Sequence, residues 1–532
     1  MKRNWITTSV LLIGLIHLAS CGGGMEGATS SDQNGDYMYV EDSYALMEAT
    51  EKVEEEMYLV LDDEVGNQFN TEEYHYIPEN DFLSPGTNPL STFSIDVDNA
   101  SYTNVRRMLN DGYWPGVDAV RTEELVNYFD YNYPVPKKDE VFSVYTEVGA
   151  CPWNEENKLV HIGLQGYTMP IEELPPSNLV FLIDVSGSMG DQNKLPLLKK
   201  SYKMMVDRLN EKDRVSIVTY AGDERLVLPS TSCAYKDEIK AAIDNLESGR
   251  GTNGEGGIEM AYTQAVENFI DDGNNRVILA TDGDFNIGRS SGGELTRLIE
   301  EKRDLGVYLT ILGFGMGNYK DSKMESLADH GNGNYFYVDD ISESNRILVE
   351  NLAGTLLTIA KDVKIQVEFN PALVKEYRLI GYENRLMNAE DFADDKKDAG
   401  ELGAGHTVTA IYEIVLGKAE TSELKYQTSS TNPSSELATI KLRYKKPDED
   451  RSNLLETSVM SNDKRFANTS EEFQFSAAVA AYSLILRESK YINDFNFSDV
   501  LEIAKPVVGM NDMSRVEFLQ LVEKARLLSE DV

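Results

Sequence analysis

The stretch N-L-V-F-L-I-D-V-S-G-S-M-G, residues 178–190, decides the fold. Its unbroken apolar run, Leu179 to Ile183, predicts a strand buried on both faces, as in the middle of a parallel sheet. The run ends in Asp184, Ser186 and Ser188, a D-x-S-x-S array. Open α/β sheets keep their ligands beyond the carboxyl ends of their strands, which is where these side chains fall. Three short oxygen-bearing side chains at a spacing of two, on a glycine-containing turn, suit a small hard cation.

Working outward, Asn178 to about residue 358 alternates strand-like and helix-like patterns. That alternation predicts a Rossmann-like, doubly wound parallel sheet with helices on both faces. Strands are expected at Leu179–Ile183, Val215–Tyr220, Arg225–Leu228 (a short edge strand), Val277–Ala280, Val307–Leu312 and Tyr335–Val338. Helices are expected at Leu197–Leu209, Lys236–Leu246, Gly257–Phe269, Leu295–Arg303 and Lys323–Ala328, with a last continuous one at Ser342–Thr358. Two more loops should meet Asp184, Ser186 and Ser188 at the carboxyl ends of the strands. One is the glycine-rich segment from Ser248 to Gly254, with Thr252 as its hydroxyl. The other is Thr281-Asp282-Gly283-Asp284, directly after an apolar strand. Taken singly, Ser186, Ser188 and Thr252 read equally well as turn formers and helix caps.

The flanks read differently. Val141–Val148 and Lys158–Leu164 look like strands around the turn Cys151-Pro152-Trp153-Asn154. Beyond the central segment, alternating apolar faces recur at Val363–Phe369, Val408–Ile414 and Ile440–Tyr444. These strands predict one β-sandwich completed from both sides of the α/β insertion. Asp98 or Asn99 is expected to cap a helix carrying Tyr102, Val105, Met108 and Leu109, and Thr122–Phe129 forms another. An EF-hand at Asp96 is excluded, because Ala100 and Arg107 stand where ligands are needed. The tail is helical, with Thr469 and Glu472 as a capping box before the stripe Phe475, Val479, Tyr482 and Leu486. Ser498–Ala504 and Ser514–Leu528 follow.

The chain's 532 residues exceed one core and suggest roughly three or four domains. A formal charge of −40 argues against nucleic acid, whose binding rests on Lys and Arg against phosphates. Lys2 and Arg3 precede an apolar stretch, Trp5 to Ala19, that is too short to span a bilayer and reads as a signal peptide. Leu18-Ala19-Ser20-Cys21, followed by three glycines, resembles a bacterial lipobox. That resemblance implies cleavage before Cys21 and a lipid on its sulfur; an ordinary signal peptide with a chance cysteine is the alternative. Gly22 leans toward the outer membrane by resemblance to lipoprotein sorting rules. Residues 21–82 carry seventeen acidic residues after Cys21 against one basic residue, Lys52, and are expected to form a flexible acidic stalk. Cys151 and Cys233 are the other two cysteines, and an oxidising compartment permits one bridge between them.

Asp184-x-Ser186-x-Ser188, then Thr252, then Asp282 in T-D-G together resemble the metal-ion-dependent adhesion site of von Willebrand factor A (VWA) domains. By that resemblance Ser186, Ser188 and Thr252 bind Mg²⁺ directly, with Mn²⁺ or Ca²⁺ able to replace it, while Asp184 and Asp282 act through water or close contact. P-L-S-T-F-S-I-D-V-D (89–98), V-R-T-E-E-L-V-N-Y-F-D-Y (120–131), C-P-W-N (151–154) and F-Q-F-S-A-A-V-A-A-Y (473–482) resemble the YfbK-like bacterial A-domain lipoproteins. The expected organisation is therefore signal peptide 1–20, stalk 21–82, N-terminal flanking region 83–170, VWA domain 171–358, and C-terminal sandwich strands with a helical tail 359–532.

Enzyme readings find little support. Gly187-Ser188-Met189-Gly190 is one residue short of a hydrolase elbow, and neither glycine-rich loop has the lysine of a phosphate loop. Zinc-ligand spacing is absent. The expectation is a non-enzymatic envelope lipoprotein, held to the membrane by lipid, that captures a protein partner's Asp or Glu through Mg²⁺. The alternative is an envelope scaffold whose partner contacts need no metal.

Overall fold

A computed structural model describes residues 72–249, 255–283, 292–316, 320–420 and 435–529. The signal peptide, Cys21, the stalk up to residue 71, and Thr252 lie outside the described residues. In chain order the N-terminal part comprises β1 (Leu90–Ser94), α1 (Ala100–Asn110), α2 (Thr122–Asn127), β2 (Phe142–Cys151) and β3 (Asn154–Gly166). The central part follows with β4 (Ser177–Asp184), α3 (Leu195–Arg208), β5 (Arg214–Tyr220), β6 (Glu224–Ser232), α4 (Lys236–Asp244), α5 (Glu255–Glu267) and β7 (Asn274–Thr281). It continues through α6 (Gly292–Asp304), β8 (Val307–Phe314), α7 (Asp321–His330), β9 (Tyr335–Val338), α8 (Ile341–Asn345) and α9 (Leu352–Leu356). The C-terminal part has β10 (Thr358–Phe369), β11 (Val374–Ile380), β12 (Gly400–Gly403), β13 (Thr407–Leu416), β14 (Glu436–Lys445) and β15 (Asn453–Met460). Helices α10 (Glu471–Leu486), α11 (Phe497–Ala504) and α12 (Met513–Ser529) close it.

The central sheet has the order β6-β5-β4-β7-β8-β9, parallel except for the edge strand β6. Every residue of β4 is buried. Leu179, Phe181 and Ile183 enter one core with Tyr202, Met205 and Val206 of α3. Val180 and Leu182 enter the opposite core with Ala261, Tyr262 and Ala265 of α5. A strand that must satisfy two cores needs an unbroken apolar run, which is why 179–183 reads as it does. Truncating Leu182 to Ala would cost about 2–5 kcal/mol. Chain progression reverses beside β4, with β5 on one side and β7 on the other. The carboxyl end of β4 is thus the sheet's topological switch point.

The sandwich is built from both sides of this insertion. One sheet runs β1-β10-β14-β15, with β12 also on β10, and the other runs β11-β13-β3-β2. β3 pairs with β13 from Thr407↔Gln165 to Val415↔Asn157, and β1 pairs with β10. Val160, Ile162 and Leu164, with Tyr412 beside them on β13, face Ile365 and Val367 of the other sheet in the space between the sheets. Leu159 and Ile411 point the other way, into a helical core shared by α1, α2, α10, α11 and α12. There Tyr102 stacks on Tyr128 at 3.8 Å, and Phe129 meets Phe475 and Phe518 edge-on.

Several local expectations change. The helix expected at 342–358 is broken into α8, a π-helical turn over Arg346–Glu350, and α9. The wide turn lets Arg346 pair with Glu343 at 2.6 Å and lie over the Tyr128 ring at 4.1 Å. It also keeps Ile347, Leu348, Leu352 and Leu356 in the sheet's core. Ser470 rather than Thr469 caps α10, accepting from the Phe473 amide at 3.1 Å, and Glu472 pairs with Arg515. Asn99 occupies the cap position of α1 without a side-chain cap bond, and Asp98 instead accepts the Tyr335 amide at 2.9 Å. The expected stalk is shortened at its end, since Glu72 pairs with Arg107 at 2.9 Å and Glu79 with Arg378 at 2.8 Å. Cys151 and Cys233 are both buried free thiols, so the permitted bridge does not form.

Candidate metal centre

Asp184 closes β4, where its backbone is fixed by pairing with Tyr220 of β5. Its carboxylate is fully buried and divides its two oxygens between loops. Oδ1 accepts the Ser186 amide at 2.8 Å, and Oδ2 accepts the Thr281 hydroxyl at 3.2 Å. Burial pushes its carboxyl up to about 6; the Ser186 amide opposes that shift and neighbouring Asp282 adds to it. Thr281 Oγ1 in turn accepts the Gly283 amide at 3.2 Å, at a residue whose φ of 98° favours glycine. One hydroxyl therefore ties the first loop to the third.

Ser186 opens a short turn, Gly187–Gly190, and Ser188 lies within it; their hydroxyl oxygens stand 2.9 Å apart. Ser186 is buried and Ser188 exposed, so the pair runs from the floor of the site to its rim. The loop that leads to Thr252 joins them: the Gly249 amide donates to the Val185 carbonyl at 2.7 Å. A Cβ at Gly187 would press on the Gly249 carbonyl, so the close approach of these loops depends on glycine there. Four of the five expected site residues, Asp184, Ser186, Ser188 and Asp282, are thereby assembled from separate loops at one sheet end. Thr252 lies outside the described residues.

Asp282 follows β7 with its side chain 4% exposed. Oδ2 accepts from Lys194 Nζ at 3.0 Å, while buried Oδ1 has no partner among the described residues. A buried carboxylate oxygen without a donor is costly unless a cation or water meets it. Two hydroxyls and an orphaned carboxylate oxygen form a hard-oxygen set that fits a small divalent cation.

Lys194 is the residue that sequence reasoning missed. A signal was present: it sits at the N-cap of α3, where a cation opposes the helix dipole and needs a compensating anion. The histidines lie in other settings. His161 is held by Tyr133 and Ser476 inside the helical core, and His330 Nδ1 donates to the Ser326 carbonyl on α7.

Comparison with known proteins bears on this arrangement. Residues 178–350 match the von Willebrand factor type A domain, and residues 68–161 match a family described as von Willebrand factor. Residues 354–528 match the C-terminal family of the uncharacterized protein YfbK. Uncharacterized protein YfbK of Escherichia coli (strain K12) is 42% identical over 469 residues, covering 86% of this chain and 81% of that protein. The chain belongs to the YfbK family. Its sheet and sandwich thus carry a VWA domain followed by the YfbK C-terminal domain. Among solved structures, von Willebrand factor type A from Catenulispora acidiphila is 14% identical with a TM-score of 0.40. That match covers 73% of this YfbK-family chain and 90% of the other. Proximal thread matrix protein 1 from the mussel byssus, solved with a zinc-occupied MIDAS motif, is 25% identical with a TM-score of 0.28. It covers 33% of this chain and 45% of that one.

Proposed function

We propose that this protein is a non-enzymatic, lipid-anchored component of the bacterial envelope that binds a partner's Asp or Glu through Mg²⁺ at Asp184, Ser186, Ser188, Thr252 and Asp282. Mn²⁺ and Ca²⁺ are the alternative ions. The observation that carries the reading is the convergence of Asp184, Ser186, Ser188 and Asp282 at the switch point, with one buried carboxylate oxygen unmet. Neutral hydroxyls close to a divalent ion leave much of its charge uncompensated, and an anionic oxygen from outside can then complete the site. Ser188 at the exposed rim marks where that oxygen would enter. Anchoring at Cys21 is supported by the lipobox-like residues 18–21 and by the glycine spacer after them.

Isothermal titration of the full chain with Mg²⁺, wild type against Asp184→Ala, tests the metal. Binding by the wild type and its loss in the variant are expected; equal heats from both would sink the assignment. A crosslinked envelope pull-down in Mg²⁺ against EDTA tests the partner. A chelator-insensitive set of partners would favour the second reading, a metal-independent scaffold. That reading draws on Met510, ahead of α12, and Met513, its first residue, which are 90% and 74% exposed.

A further inference from the structure

The side chain of Lys194 is only 10% exposed, although a lysine at a helix N-terminus ordinarily extends into water. Two features hold it inward. Its ammonium donates to Asp282 Oδ2 at 3.0 Å, with Asp191 Oδ2 at 3.8 Å on the solvent side. Its aliphatic stem lies across Gly315, at the end of β8, so closely that a Cβ there would overlap the stem carbons. Gly315 has a φ of 79°, and its carbonyl accepts the buried Tyr337 hydroxyl, so the surface under the stem is itself fixed. Lys194 is therefore built into the site by three separate elements, α3, β7 and β8.

Its position has a direct electrostatic consequence. An ammonium on one oxygen of Asp282 neutralises part of the charge that would attract a divalent ion. It also repels any ion approaching the other oxygen over a short, poorly screened distance. We propose that Lys194 is a resident counter-cation of the metal centre, which occupies Asp282 in the metal-free protein and must be displaced when the divalent ion binds. This inference rests on the metal reading above and adds its regulation. The lysine offsets part of the Asp282 charge without metal and holds metal affinity low, so occupancy follows the surrounding metal concentration. The buried carboxylate is never left wholly unpaired in either state, which avoids the penalty of an isolated buried charge.

Lys194→Met preserves an unbranched stem against Gly315 and removes the charge. Titrating the full chain with Mg²⁺ should show about tenfold or more tighter binding by Lys194→Met than by wild type. In EDTA the variant should unfold at a lower temperature than wild type, and Mg²⁺ should raise its Tm by more than it raises that of wild type. In the wild-type chain, amine-acylation mass spectrometry should find Lys194 protected in EDTA and increasingly labelled as Mg²⁺ is added; this measurement needs no variant to fold. Equal or weaker Mg²⁺ binding by folded Lys194→Met would overturn the inference. So would labelling of Lys194 that does not change while Mg²⁺ binds, and both results leave the metal site standing. Binding by the variant alone would support the counter-cation and overturn metal loading of the wild type. Absence of binding by both proteins would remove the metal reading and this inference together.

Discussion

Two regions of this molecule crowd carboxylates together, and they answer the charge in opposite ways. At the seam where α7 of the VWA domain meets α2 and the segments after β1 and β11, Arg121 and Arg385 are threaded between Asp96, Asp98, Glu124, Asp321, Glu325 and Asp329. Arg121 binds Asp321 at 2.5 Å and also pairs with Glu124. Arg385 reaches Asp329 at 2.7 Å and Asp96 at 3.1 Å, with Asp98 and Glu325 each at 3.5 Å. Guanidinium groups present several donors in a rigid fork, so each arginine holds several carboxylates at once, and Glu325 lies between the two. At the end of β4 the buried carboxylate of Asp282 meets a single ammonium, that of Lys194, and its other oxygen has no partner among the described residues, while Asp184 beside it is held by an amide and a hydroxyl. The first arrangement joins parts of the fold; the second is suited to take a cation from outside. Acidic crowding by itself therefore says little, and the supply of fixed cations decides what it is for.

The contrast can be broken most forcefully at the seam. Arg385→Ala strands buried Asp96 and Asp98 against low-dielectric surroundings, and urea unfolding should show a loss of about 3–5 kcal/mol. Mg²⁺ affinity by titration should be unchanged; a large change would mean that the two regions are coupled.

Acid provides the next largest effect, and it belongs to neither region. Burial lowers the His161 imidazole to about 4, so the folded chain keeps it neutral where the unfolded chain takes up a proton. The unfolded state then binds more protons between pH 6.5 and 4. Stability should fall as pH drops through that window, by on the order of 3 kcal/mol from this group. His161→Gln should flatten that part of a pH-stability profile measured in urea. A profile that keeps its slope would assign acid sensitivity to other groups, including His406, which burial also lowers to about 4.

The smallest effect on the fold should come from the site itself. Ser188→Ala removes an exposed hydroxyl and should leave stability within about 0.5 kcal/mol. Its Mg²⁺ affinity should nevertheless fall roughly tenfold. A variant that binds Mg²⁺ normally would remove Ser188 from the coordinating set and narrow the site to its buried part.

Most of the central sheet was legible because its information is local. A run such as Leu179–Ile183 flanked by turn residues cannot be satisfied except as a strand with a core on each side. The short strands β1, β11, β12 and β15 were missed for the opposite reason. β15 alternates between exposed and half-buried residues at a sheet edge, and β12 spans four residues, two of them glycine. Their pattern is weak, and they exist because β10, β13 and β14 offer them hydrogen bonds. The cap of α10 falls one residue later than expected, on Ser470, and Glu472, needed for the expected capping box, pairs with Arg515 across the fold.

The sequence by itself determined the α/β class of the centre, the two-sided sandwich, and the spacing of Asp184, Ser186 and Ser188. These follow from periodicity and short-range geometry, which any few neighbouring residues carry. Only the tertiary structure decided that Asp282 meets Lys194, 88 positions away, and that Arg385 answers Asp96 and Asp98. Electrostatic partners act through space over a few ångströms. Which charges come that close depends on how the sheets and helices pack, and no local pattern records it.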